Sequence, residues 1–149
     1  MKFNFYKSIS TCFGLGYISP LPGTLTSFLT VIIIWTIQTH LSLEVTMLFI
    51  LFTTLIGYIS VEKNPDNVSD PKEIVIDEFI GQSLVLVFLP LTYKNYILGF
   101  ILFRFFDIYK PMPINYFEKK YQNAFGVIFD DIIAACYALL AIYIINNII

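Results

Sequence analysis

The sequence predicts an all-α protein: a compact helical bundle of about four to five hydrophobic helices, integral to a membrane, with its polar site on the cytoplasmic face. Three observations carry this expectation. The chain of 149 residues is 57% hydrophobic and only 13% charged, far from the composition of a water-soluble domain. About half of it lies in apolar stretches that approach the roughly 20 residues a helix needs to cross the hydrocarbon. Threading those stretches back and forth places nearly all the charge at one end. A soluble helical domain is the competing reading, because aromatics make up 17% of the chain and could fill a large core.

The first helix is expected over about 24–40. It follows SPLPGTLTS (19–27), where Pro-Gly marks a turn and Thr24, Thr26 or Ser27 can cap the helix. A second is expected over 42–61 and a third over 75–91. Pro90 with the following LTYKN makes a tight connection to a fourth over 95–109, which Pro111 and Pro113 stop. The fifth covers 126–146. The second and fifth are long enough to cross a bilayer, whereas the third and fourth are short and charged, which suits a tilted or partly inserted hairpin. Neither an internal repeat nor a low-complexity linker divides the chain, so residues 1–149 read as one domain. Lys2 and Lys7 precede no apolar run until near Leu25, so no removable signal peptide is expected.

Alternating the segments through a membrane puts Lys2, Lys7, Lys63, Lys72, Arg104, Lys110, Lys119 and Lys120 on one face and leaves only Lys94 opposite. The positive-inside rule makes the crowded face cytoplasmic. The acids gather there too, with Glu44 the exception. A net charge of -2 and the lack of a basic stripe exclude a nucleic-acid partner. Cys12 and Cys136 each sit among apolar residues and read as small buried hydrophobes, not as a disulfide. His40 falls at the opposite face.

Several charges lie within or beside apolar runs, where each costs about 2.5 to 3.5 kcal/mol even on the milder insertion scales. Such groups are paired, hydrated or working. Asp77 and Glu78 open the third segment, Asp107 nears the end of the fourth, and Asp130 with Asp131 lie in the fifth. Adjacent helical residues point about 100° apart, so one member of each pair can face the bundle centre while the other orients it or faces a neighbour. Oxygen ligands without clustered His or Cys favour Mg²⁺ over Zn²⁺. Arg104, Asp107 and Lys110 fall along one helical stripe. The Arg104 fork suits a phosphate or an interhelical ion pair, and Lys110 suits a phosphate contact or a snorkelling anchor. The PGTLTS turn offers backbone N–H groups and the hydroxyls of Thr24, Thr26 and Ser27 to an anion, although plain capping is the first reading. Gly81, four residues after Asp77, fits close helix packing.

What is missing narrows the chemistry. No GxxxxGK[ST] loop is present, no cysteine is followed six residues later by arginine, and the single histidine is at the wrong face for a phosphohistidine mechanism. Metal-assisted chemistry at carboxylates, on a phosphorylated molecule reached from the cytoplasmic leaflet, is what remains. A small transporter or a structural membrane subunit with a carboxylate cluster is the alternative.

Four blocks in order, GLGYISPLPGTLTS (14–27), DPKEIVIDEFIG (70–81), RFFDIYKPMPI (104–114) and GVIFDDIIA (126–134), resemble those of the phosphatidylglycerophosphatase A family. The resemblance spans about residues 14 to 135. It implies a Mg²⁺-dependent phosphatase of the bacterial inner membrane, multi-pass and acting at the cytoplasmic face, that converts phosphatidylglycerophosphate to phosphatidylglycerol and inorganic phosphate. The matching positions are Asp70, Asp77, Glu78, Arg104, Asp107, Lys110, Asp130 and Asp131. In that reading Arg104 and Lys110 hold the phosphomonoester, helped by Thr24 and Ser27. Asp77, Glu78, Asp130 and Asp131 surround Mg²⁺, with Asp70 as a further candidate, while Asp107 joins them or orients Arg104. Attack by water and an aspartyl-phosphate intermediate both stay open. The chain departs from the family at Asn123, Ala124 and Phe125, where small residues are usual, and at Thr26, where glycine is common.

Overall fold

The computed structural model describes residues 4–64 and 72–148. Among the described residues there are seven helices and no strand: α1 Phe5–Ser10, α2 Pro22–His40, α3 Leu43–Glu62, α4 Ile76–Val87, α5 Tyr93–Tyr109, α6 Ile114–Lys120 and α7 Ala124–Ile148. The all-α expectation holds, and the five long segments appear in order. The two additional helices, α1 and α6, span only 6 and 7 residues, too short to show a 3.6-residue pattern. Asn4 starts α1 by accepting from the backbone N–H groups of Tyr6 and Lys7 at 3.1 and 3.4 Å.

The start of α2 differs from expectation in an instructive way. The helix begins at Pro22, and Leu21 ahead of it makes no side-chain cap. Proline at the first helical position has its φ preset and lacks only an N–H that would have been orphaned anyway. Thr24, Thr26 and Ser27 therefore lie inside the helix and cap nothing. The earlier start lengthens α2 to 19 residues and makes it, with α3 and α7, one of three helices long and apolar enough to cross a membrane, where the sequence suggested two. At 12 and 17 residues, α4 and α5 fall short of the ~20 needed. The short α4 ends at Val87 because the approach to Pro90 disfavours continued helix. Thr92 then caps α5, accepting from the Asn95 N–H at 3.4 Å.

In the packing, α4 is central and touches α2, α3, α5 and α7. Ile80, Val85 and Leu86 on α4 and Phe103 on α5 are fully buried. A Cβ on Gly81 would lie 2.7 Å from the Phe103 ring, which bears out the close packing expected of that glycine. Polar ties lock the opposite end: Tyr96 Oη donates to Gln38 Oε1 at 2.7 Å, Asn146 Nδ2 donates to Asn95 Oδ1 at 3.1 Å, and Trp35 stacks on Tyr93. The outer face of α3 is apolar and bare, with Leu48, Phe52 and Leu55 all more than half exposed, a surface suited to lipid rather than water. Both cysteines are free. Cys136, expected to be buried, lies exposed on the outer face of α7.

Candidate active site

This connectivity brings the N-terminal turns of α2 and α4, the C-terminal turn of α5 and the first third of α7 to one end of the bundle. They enclose a pocket of about 470 Å³ lined by Pro22, Gly23 and Thr24 of α2, Asp77 and Glu78 of α4, Arg104 and Asp107 of α5, Lys110, and Asp130 and Asp131 of α7. Of the expected site residues, Asp70 lies outside the described residues. Ser27 is fully buried and does not line the pocket, because it sits on the helix one turn beyond Gly23. The others converge.

Carboxylate oxygens of Asp77, Glu78 and Asp131 lie within 4.8 Å of one another. Asp77 and Glu78 occupy the first turn of α4, where the helix dipole favours negative charge. Burial pushes the Glu78 carboxyl up to about 7; a hydrogen bond with Asp77 and the charge of Arg104 oppose that rise, and Asp107 adds to it. Glu78 Oε2 and Asp131 Oδ2 are buried without a hydrogen-bond partner. Two orphaned carboxylate oxygens converging beside Asp77 are what a hard divalent cation would satisfy, and the all-oxygen donor set fits Mg²⁺.

Asp130 stands apart from that triad. Its Oδ2 accepts from Lys110 Nζ at 2.9 Å, while its Oδ1 accepts from the Asp131 N–H at 3.0 Å. The sequence reading placed both aspartates around the ion; here Asp131 faces the acid cluster while Asp130 holds Lys110. Lys110 caps α5 in the left-handed region at φ 45°, ψ 61°, a conformation that costs a non-glycine residue roughly 1–2 kcal/mol. It also donates to Glu118 Oε1 on α6 at 2.7 Å. Burial alone would weaken its charge, but Asp130 and Glu118 outweigh that and hold the ammonium well above its ordinary range.

Arg104 Nη1 donates to Asp107 Oδ2 and lies 3.7 Å from Glu78 Oε1. Its Nε is buried without a partner, so part of the fork remains for an anion. Gly23 makes this approach possible: a Cβ there would meet Glu78 Oε1 at 2.0 Å and Arg104 Nη1 at 3.1 Å. Sequence reasoning gave Gly23 only a turn, whereas it lies inside α2, and gave no role to Glu118 or to Lys72, which also lines the pocket. The only signal for Gly23 was its place after Pro22. Burial, reinforced by Asp77 and Glu78, pushes the Cys12 thiol up to about 12, which favours its protonated form.

A helical scaffold that converges three carboxylates beside an arginine and a lysine suits the class of enzymes that act on phosphate esters. The chain belongs to the phosphatidylglycerophosphatase A family, whose model matches residues 8–146. It is 39% identical over 137 residues to the phosphatidylglycerophosphatase A of Haemophilus influenzae, covering 90% of this chain and 84% of that one. It is 32% identical over 147 residues to that of Escherichia coli K12, covering 97% and 85%. A Bacteroides thetaiotaomicron protein provisionally named a phosphatidylinositol-3-phosphatase is 30% identical over 142 residues, covering 90% and 89%. No solved structure matches the chain.

Proposed function

We propose that the protein hydrolyses the terminal phosphomonoester of phosphatidylglycerophosphate, giving phosphatidylglycerol and inorganic phosphate, with Mg²⁺ as cofactor, at the cytoplasmic face of a bacterial inner membrane. The observation that carries this reading is the convergence of Asp77, Glu78 and Asp131 beside Arg104 and Lys110 in one pocket, in a chain whose family relatives bear that activity in their names. Three helices of membrane-spanning length support insertion by multiple crossings. Alternating the apolar segments along the sequence assigns eight of the nine Lys and Arg residues to the face that carries the site, which supports its cytoplasmic orientation.

Asp77, Glu78 and Asp131 would hold the ion, and Mg²⁺ bound there supplies charge neutralisation to the phosphoryl oxygens. Arg104 presents its fork to the phosphate and Asp107 fixes that fork in place. Lys110 adds a point charge, which Asp130 and Glu118 position from α7 and α6. Thr24, lining the pocket from α2, offers a hydroxyl to the same anion. The attacking group is a water or one of the carboxylates, and either is compatible with this arrangement.

The test is phosphate release by the purified protein from phosphatidylglycerophosphate and, in parallel, from phosphatidylinositol 3-phosphate. Faster turnover of the first supports the assignment. Preference for the second, or release from neither by folded protein, overturns it.

A further inference from the structure

Lys72, Arg104 and Lys110 are the cations that line the polar pocket, and two of them are tied to acids. Arg104 is held by Asp107, and Lys110 by Asp130 and Glu118. Lys72 makes no hydrogen bond, ion pair or ring contact among the described residues. It differs in depth as well. Asp77, Asp107, Asp130 and Asp131 are all buried, whereas Lys72 is exposed, so it stands at the mouth of the pocket and the acids form its floor. The neighbouring backbone fixes that position. A Cβ on Gly16, in the 3₁₀ turn ahead of α2, would lie 2.0 Å from the Glu73 carbonyl oxygen, and the Val75 N–H donates to the Ser10 carbonyl at 3.0 Å. The segment that leads into α4 is thereby pressed against the N-terminal elements, and Lys72 lines the pocket from it.

We propose that Lys72 determines headgroup specificity: its ammonium takes the phosphodiester of the substrate while the terminal phosphomonoester lies against Arg104 and Lys110. The inference rests on the lipid-phosphatase reading and deepens it by assigning the two halves of the headgroup to different cations. Phosphatidylglycerophosphate carries two anionic groups joined by a glycerol bridge. The monoester bears a charge of about −1.5 to −2 at pH 7, and the diester bears a single charge. Arg104, Lys110 and the acid triad with its ion answer the monoester at the floor of the pocket. The diester lies on the acyl side of the glycerol bridge, and so toward the mouth, where among the described residues Lys72 is the pocket-lining cation left without an acid. A pocket of about 470 Å³ has room for both groups, since sites of roughly 300–1,000 Å³ hold a whole small molecule. Lysine suits this task. Its flexible stem ends in a point charge that follows a singly charged diester without the fixed two-pronged geometry of an arginine fork.

The test separates recognition of the diester from general attraction to an anionic surface. Turnover of phosphatidylglycerophosphate is measured in nonionic mixed micelles with Mg²⁺ for wild type, Lys72→Ala, Lys72→Arg and Lys119→Ala. Lys119 is an exposed cation that does not line the polar pocket. Phosphatidic acid with the same acyl chains, which keeps a phosphomonoester and lacks the diester, is added as competitor. Lys72→Ala should raise KM about fivefold, the upper end of what an exposed ion pair contributes, with kcat held, as for a contact made equally in ground and transition states. Lys72→Arg should restore most of the KM, Lys119→Ala should not raise it, and phosphatidic acid should compete equally well against wild type and Lys72→Ala. An unchanged KM in Lys72→Ala, an equal rise in Lys119→Ala, or a parallel weakening of phosphatidic acid overturns the assignment of Lys72 while the phosphatase reading stands. Failure of folded wild type to turn over phosphatidylglycerophosphate overturns both.

Discussion

Lys110 Nζ donates to Asp130 Oδ2 at 2.9 Å, joining the left-handed end of α5 to the buried face of α7. The contact explains how one chain keeps a cation beside an acid cluster. Asp130 neutralises and aims Lys110, which leaves Asp131 for the triad with Asp77 and Glu78. A double-mutant cycle with Lys110→Ala and Asp130→Asn should give a coupling of about 1–3 kcal/mol in kcat/KM, with the double variant no worse than the poorer single. Additive losses would mean that the two act independently. Lys110→Gly should unfold at a higher temperature than Lys110→Ala, because glycine accepts the left-handed backbone.

Gly23→Ala introduces a methyl where the Glu78 carboxylate already lies. The carboxylate must move, so metal-dependent turnover should fall by about tenfold or more, in line with misplacement of a positioning group. The thermal transition in detergent should shift far less than it does for a core truncation. Retained activity would show that Glu78 tolerates displacement.

The Glu78 carboxyl is raised from its ordinary 4.5 to about 7. A raised acid favours the folded state when protonated, so this contribution is fully present below about 4.5 and is lost as pH rises through about 7. With chelator present, stability should therefore decline across that window, and Mg²⁺ should restore most at the alkaline end, where ligands are deprotonated. Glu78→Gln should flatten the profile. Thermal unfolding in detergent from pH 5 to pH 8 checks this.

Asn95 and Asn146 bridge α5 and α7 at 3.1 Å. Asn146→Leu strands a buried partner and should cost about 1–3 kcal/mol, whereas replacing both by leucine should recover much of that loss. Unfolding midpoints of the two variants, compared in one detergent, decide it.

The part of the site legible in the sequence was the part that is expensive in hydrocarbon. Asp77, Asp107, Asp130 and Asp131 announced themselves by interrupting apolar runs, and Arg104 and Lys110 by their helical spacing. Gly23 and Glu118 gave no such signal: the first matters through a tertiary approach to Glu78, and the second sits in KPMPINYFEKK, whose prolines disguise the short helix α6. Prolines misled once more at α2, where Pro22 begins the helix and displaces the expected threonine and serine caps. Helical geometry points Asp130 and Asp131 in different directions, but the sequence put both around the ion; that Asp130 turns to Lys110 instead depends on where Lys110 ends α5.

The central claim, that Asp77, Glu78 and Asp131 act with Mg²⁺ on a lipid phosphomonoester, is tested most directly by phosphate release from phosphatidylglycerophosphate. Wild type, Asp77→Asn and Asp131→Asn would be purified in detergent, confirmed folded by their thermal transitions, and assayed with Mg²⁺ and with chelator. The account predicts turnover by wild type that chelator abolishes and Mg²⁺ restores, and a loss on the order of 10²-fold or more in both variants. Full turnover in chelator, or a folded Asp131→Asn protein as active as wild type, would contradict it.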